Sequence, residues 1–359
     1  MPDARSTFAV VAALALCGCS AEYYWQSAAG QLDLVARAKP VGEVIASTSD
    51  PRLKDRLELA RSIRAFASSE LGLPDNGSYR RYVDLDRPYV VWNVFAAPEL
   101  SLAAHEWCFP VVGCVAYRGY FHEADARFEA ARLASRGFDV HVGGVPAYST
   151  LGWFDDPLLS SFIRFPDIEL ARLVFHELAH QLVYVPGDTA FNESFATAVE
   201  EAGLDRWIAS RPPAEAARLA AERERAERGR AAFRSLVGEA RDALAAAYAS
   251  ERSDDAKREA KRAIIGAMRA AWERTRSADP ALAGYDRWFS GDDGSGPNNA
   301  SLASVGLYTA LVPAFRALLA SEGGDLARFY ARVRELAAQP KGERHAALGS
   351  PGAQPDPRP

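Results

Sequence analysis

His176-Glu177-Leu178-Ala179-His180 places two imidazoles four positions apart, with a carboxylate directly after the first. On a helix that spacing puts both rings on one face, one turn apart, where they can bind a single metal ion. Glu177, one position along, can reach a water on such an ion without ligating it and can take its proton. A catalytic zinc needs a third protein ligand and one position left for water. Glu193 is the candidate, in Phe191-Asn192-Glu193-Ser194-Phe195-Ala196. It lies beyond a Pro186-Gly187 turn that lets a second helix fold back toward the first. His176, His180 and Glu193 as ligands of Zn2+, with Glu177 as general base, spell metal-assisted hydrolysis. The competing reading is a helix that merely carries two surface or core histidines. Against it stand the helical setting of the motif and the carboxylate that opens the second helix. His105, His122 and His141 have no ligand spacing and read as structural.

The elements that must position these residues follow from pattern. Residues 20–38 and 51–71 read as helices, the second with Leu53, Leu57, Ala60, Ile63 and Phe66 at helical spacing after a Ser49-Asp50-Pro51 start. Pro88 to Phe95, Gly113 to Phe121 and Phe138 to Val142 are β-branched and aromatic, bounded by Pro or Gly, and read as strands. A helix is expected from His122 to Arg136 and a further extended segment from Val145 to Thr150. The motif helix should run from about Asp167 to Tyr184, and the second helix from near Asn192 to about Ala202. From Pro213 to Arg276 the chain is rich in Ala, Arg and Glu, with opposite charges three and four apart, as in a solvated helical hairpin. Residues 290–299 read as a loop, Leu302 to Leu319 and Leu326 to Ala338 as the last helices. The Pro/Gly/charged stretch 340–359 is expected to be disordered.

HELAHQ followed by FNESFATAVE resembles the gluzincin metallopeptidases, in particular aminopeptidases whose second helix carries an Asn-Glu-x-Phe-Ala signature. The match implies the same ligands and base, and makes Glu200 an orienter of a metal-bound imidazole. Positions 181 to 192 make a shorter spacer than in the best-known gluzincins, which points to a separate lineage. A closer resemblance spans nearly the whole chain. Tyr23-Tyr24-Trp25-Gln26, WCFPVVGCVAYRGYF, AYSTLGWFDDPLL and HELAHQ are similar to the bacterial "putative aminopeptidase" family of zinc lipoproteins. The resemblance implies an α+β, zincin-like fold: a small mixed sheet plus active-site helices, followed by a mainly helical C-terminal region. In zincins an edge strand beside the active helix pairs with the substrate backbone, which makes Gly144, Ala147, Tyr148 and Ser149 the substrate-binding candidates. Related enzymes use a downstream tyrosine to stabilise the oxyanion, here Tyr308, with Tyr285 and Tyr248 as alternatives. A free α-amine would need a carboxylate, for which Glu200, Glu201 and Asp155 are candidates. Arg118 could meet a substrate carboxylate or form a structural ion pair.

The N-terminus bears on where such a site would work. Arg5, an apolar stretch from Phe8 to Leu16 and Gly18-Cys19 have the form of an export signal, and the Leu-x-Gly-Cys ending resembles a lipobox with Cys19 lipidated. An ordinary cleaved signal peptide is the alternative. Cys108 and Cys114, in an exported chain, read as a local disulfide, with two buried free thiols as the other reading. With 42 Lys and Arg against 47 Asp and Glu, the net charge of −5 argues against a nucleic-acid partner. The expected divisions are a signal peptide at 1–19, helices and a small sheet over 20–165, zinc-binding helices over 166–202, a helical subdomain over 203–339 and the tail. The expected function is a zinc-dependent peptidase, an aminopeptidase on short peptides in the bacterial cell envelope. It would face the periplasm and be lipid-anchored at the outer membrane through Cys19. The alternatives are an endopeptidase on envelope proteins, or a non-catalytic, metal-stabilised envelope scaffold.

Overall fold

A sheet with one covered face and one open face organises the molecule around its cleft. The computed structural model describes residues 23–109, 113–147, 149–291, 296–305 and 311–349, in a mixed α+β fold that is mostly helical. Strand β3 (Val91–Pro98) sits at the centre, antiparallel to both β6 (Arg118–Tyr120) and β7 (Phe138–Val145). Side chains alternate across a strand. Trp92, Val94 and Ala96 of β3 accordingly pack with Ala126, Ala130 and Leu133 of helix α4 (Glu123–Ala134). Val91 and Asn93, the odd-numbered set, line the cleft on the other side. Val140 and Val142 of β7 join the α4 side, whereas Val145 faces the cleft.

The stretch Gly113 to Phe121, read from sequence as one strand, is two. Strand β5 (Gly113–Val115) pairs with β4 (Trp107–Phe109) in a separate hairpin, and only the second part joins the main sheet as β6. Cys108 and Cys114 face each other in that hairpin and are joined by a disulfide. A second small sheet, of β1 (Lys39–Pro40), β2 (Arg81–Val83) and β8 (Leu158–Leu159), has strands too short to leave a sequence pattern.

Helix α1 spans residues 23–37, followed by α2 (Val41–Ser47) and α3 (Pro51–Ser69). Pro51 opens α3, and the Asp50 side chain accepts a hydrogen bond from Arg52 N at 2.9 Å. Leu57, Ala60, Ile63 and Ala67 bury its inner face in the core shared by α5 (Asp167–His180), on which α3 packs, and α6 (Thr189–Ala209), the pair that carries the motif. Two late helices, α11 (Val312–Ser321) and α12 (Leu326–Ala337), share this core, with Phe315 and Phe329 against Phe195. Between them in sequence, α7 (Pro213–Ala249) and α8 (Asp254–Ala278) form a long hairpin. Its own cluster of Phe233, Val237, Met268 and Trp272 takes in Phe289 of α9 (Asp286–Ser290) and Leu302 of α10 (Asn299–Val305). Of the helix expected over Leu302 to Leu319, the described residues lie in α10 and α11, in different clusters, and 306–310 lie outside the described residues.

Of the stretch 340–359 expected to be disordered, 350–359 lie outside the described residues, and the part before them is ordered. Residues 341–347 are helical, as α13 (Lys341–Ala347), and docked. Arg344, 3% exposed, pairs with buried Asp188 at 2.8 Å, and His345 reaches the same carboxylate at 2.9 Å. A compositional reading of Pro, Gly and charge cannot see an ion pair made across the fold.

Candidate metal centre and its cleft

Helix α5 buries Ile168, Leu170, Ala171, Val174, Phe175, Leu178 and Ala179 in the core, and turns His176, Glu177 and the buried His180 together toward a cavity. It ends at His180, a turn earlier than expected, where Gln181 is held by Asn76 at 2.7 Å and Ser78 at 3.2 Å. The turn into α6 is fixed at several points. Gly187 takes a positive φ of 77°, the left-handed conformation that glycine adopts most readily. The Asp188 side chain caps α6 by accepting from Phe191 N at 3.3 Å. Asn192 closes the loop with two bonds to the Val185 backbone: its Oδ1 accepts from Val185 N and its Nδ2 donates to Val185 O, both at 2.8 Å. Glu193 follows directly. Asn192 therefore serves the register of the helix that presents Glu193.

His176, His180 and Glu193 offer ligand atoms that all lie within 4.8 Å of one another. Nε2 of His176 is 3.1 Å from Nε2 of His180 and 3.2 Å from Oε2 of Glu193, and His180 Nε2 is 3.7 Å from Glu193 Oε1. Tetrahedral zinc with bonds of about 2.0–2.1 Å would space its donors about 3.3–3.4 Å apart, so these separations suit one such ion. Glu200 Oε2 lies 2.9 Å from His176 Nδ1. A carboxylate only accepts, so Nδ1 carries the proton and Nε2 presents its lone pair to the centre. Arg172 donates to the other Glu200 oxygen and holds it in place. His180 Nδ1 is buried with no partner among the described residues.

The charge of the site asks for a cation. Burial alone would strip His176 of its proton, yet the bonds from Glu193 and Glu200 raise its pKa well above the usual imidazole value. Burial lowers His180 to about 4, with the neighbouring His176 adding to the shift, so it is neutral and ready to ligate. Burial pushes the Glu177 carboxyl up to about 7, with Glu193, Asp156 and Glu200 reinforcing the shift against the opposing pull of His176. Three carboxylates thus crowd two imidazoles. A divalent ion between the ligands would relieve that crowding in place of the extra proton on His176.

The centre opens into a cavity of about 830 Å³. Ala147 and Ser149 line it. Gly144 does not: a Cβ there would meet the Tyr89 ring at 2.1 Å, so this residue lies against the opposite side of the strand. Tyr148 and Tyr308 lie outside the described residues. Tyr248 and Tyr285 belong to the distant hairpin cluster, where one donates to Asn299 at 2.9 Å and the other stacks on Phe233. Two phenols that sequence reasoning does not single out, Tyr117 and Tyr184, line the cleft beside the centre. Tyr184 continues the four-residue spacing of His176 and His180, which is a readable signal; Tyr117 gives none, since only the folded sheet brings it there.

Glu201 pairs with Arg316, and Asp155 lines a different cavity, next to Val35 and Arg81. Arg118 is committed as well: its guanidinium lies over the Tyr23 ring at 4.2 Å and 3.9 Å from Glu129. Against models of known families, residues 22–348 match one described as "Putative aminopeptidase". No curated protein and no solved structure matches the chain.

Proposed function

The chain belongs to the family described as putative aminopeptidases, and on that premise we propose that it is a zinc-dependent peptidase of gluzincin type. One observation carries the reading: three ligand atoms from two helices converge, with Glu177 beside them on a cleft large enough for a peptide. Zn2+ held by His176, His180 and Glu193 would supply Lewis acidity and make an attacking water more acidic. Glu177 accepts the proton of that water as its oxygen bonds to the scissile carbonyl carbon, then delivers it to the nitrogen as the carbon–nitrogen bond breaks. Glu200 keeps the His176 tautomer that leaves Nε2 free. Tyr117 and Tyr184 stand with Tyr308 as candidates for the donor to the oxyanion.

The family description favours an aminopeptidase. A second reading, cleavage within a chain, is favoured by the lining of the cleft. Among the described residues it offers an α-amine no carboxylate besides Glu177 and Glu193, both already employed. Hydrolysis of free but not N-acetylated peptides would establish the first; equal hydrolysis would establish the second. The decisive test of the common core is Glu177→Gln. We expect hydrolysis to fall about 10²–10⁴-fold with one zinc per chain retained, whereas Glu193→Ala should lose the metal. Full activity in the glutamine variant would sink the mechanism. Action at the cell envelope, with a lipid on Cys19, is supported by the N-terminal sequence.

A further inference from the structure

The cleft has a chemical character that the metal centre does not dictate. Its walls come from distant parts of the chain. Tyr23 and Tyr24 of α1 meet Phe109 of the disulfide hairpin, with Tyr23 stacked on Phe109 at 5.4 Å. Phe121, just past β6, packs on α1 where Gly30 leaves no room for a side chain. Gln26 fixes that seam: its Oε1 accepts from Phe121 N at 3.0 Å, and its Nε2 donates to Gly119 O at 3.3 Å. The aromatic wall is therefore held by the fold. Val91, Val115, Val145 and Leu151 extend the apolar surface. Tyr117 and Tyr184, 38% and 47% exposed, leave ring surface open to an arriving ligand.

Charge is confined to one place. Among the described residues, the only Asp, Glu, His, Lys or Arg side chains lining the cavity are His176, Glu177, His180 and Glu193. No described Lys, Arg or Asp lines it; Arg118 of the neighbouring strand lies behind the Tyr23 ring, 3.9 Å from Glu129. A charged side chain entering such walls gives up full hydration for a few neutral groups, the Tyr hydroxyls, Ser27, Asn93 and Ser149, with no opposite charge outside the metal centre. A ring or branched aliphatic chain instead gains by leaving water.

Resting on the peptidase reading, we propose that the cleft selects peptides with aromatic or large aliphatic side chains beside the scissile bond and rejects charged ones. The test uses the zinc-loaded full chain as Glu177→Gln, so that binding can be measured without turnover. Free-ended tetrapeptides differing only in the two central residues (Phe, Leu, Ala, Lys or Asp pairs) are titrated calorimetrically, and the unmutated protein is assayed for cleavage of the same set. Phe and Leu peptides should bind about 10–100-fold more tightly than the Ala peptide, with the Lys and Asp peptides both weaker still. Val115→Asp, and independently Tyr24→Asp on the more exposed wall, should raise the Lys-to-Phe affinity ratio about 10-fold by giving the ammonium a partner. Equal affinities across the series, or tighter binding of the charged peptides, would overturn the proposal. Selective binding with no cleavage by the unmutated protein would leave it standing and remove the peptidase reading. Cleavage without selectivity would do the reverse.

Discussion

The two helical pairs of this protein, α5 with α6 and α7 with α8, are built on opposite terms. In α6, eleven of 21 residues are buried, spread around the helix from Phe191 to Trp207. In α8, only Met268 and Trp272 of 25 are buried, and α7 contributes a narrow seam through Gly229, Phe233, Val237, Ala240 and Leu244. A helix enclosed on most sides has little freedom to shift, because a close-packed interior tolerates few displacements. One that touches its neighbour along a stripe is held mainly by that stripe. The proposed metal ligands sit on the enclosed pair. Ligand atoms that must meet one ion within a few tenths of an ångström call for that kind of support.

The comparison breaks most visibly at the two clusters. Phe195→Ala removes a fully buried ring that meets Phe315, Phe329 and Tyr330, so about 3–5 kcal/mol of stability should go, together with metal affinity. Trp272→Ala should cost a similar amount, since its ring stacks on Phe289 at 4.5 Å. Its zinc affinity and kcat/KM should nevertheless stay within about twofold, as expected for sites without shared partners. Denaturant titration read beside zinc titration makes the check. If Trp272→Ala weakened zinc as much as Phe195→Ala does, the two pairs would form one unit and the contrast would be wrong.

Arg344→Ala tests how far support for α6 extends. It strands Asp188, whose carboxylate is 1% exposed and caps the helix that presents Glu193. Leaving one member of a buried pair alone costs about 3 kcal/mol or more. His345, at 2.9 Å from the same carboxylate, should soften that loss, so the double change with His345→Ala is expected to cost more than the single one. Ending the chain at residue 339 should do as much harm. Thermal unfolding of the shortened and full-length chains would show this, and an unchanged midpoint would mean that the C-terminal helix is dispensable.

Glu200→Gln is the next smaller effect and separates geometry from packing. An amide can still meet His176 Nδ1, but it no longer favours the protonated Nδ1 as strongly and releases Arg172. Zinc affinity should fall about 10–100-fold, in the range found when such supporting partners are lost. Competition with a chelator of known affinity measures this. Affinity unchanged by the substitution would deny Glu200 any part in orienting the ligand.

What is legible in the sequence follows the same division. The four-residue spacing of the histidines and the turn before Asn192 are local, and local geometry survives translation into three dimensions. The hairpin is equally readable from charge spacing. Gly113 to Phe121 misleads because its residues suit strand throughout, while the partner that divides it, Trp107 to Phe109, is a separate segment. The cleft itself is hidden. Its walls combine α1, the disulfide hairpin, β3 and the loop after β7, and no periodicity within one segment announces that Tyr23, Phe109 and Tyr117 share a cavity. Chain order points Gly144 to the cleft, whereas strand alternation places it opposite Val145. Docking of 341–347 depends on a carboxylate more than 150 positions earlier.

The smallest expected effect bears on why the hairpin can be so charged. Arg228 reaches Glu224 at 2.9 Å on α7, with the two side chains 52% and 74% exposed. Such a pair contributes about 0.3–0.5 kcal/mol, and water screens most of what the ions could gain from each other. Arg228→Ala should therefore move the unfolding midpoint hardly at all and leave zinc binding and hydrolysis unchanged. Alanine also recovers part of the loss through its better helix propensity. A drop of about 2 kcal/mol or more would mean that this face is covered by something in solution, because an exposed pair cannot carry that much. If the midpoint holds, the charges of α7 act only to keep a half-bare helix in water, and substitution there is free in a way that it is not on α6, where the same small shift in backbone would separate Glu193 from its two histidines.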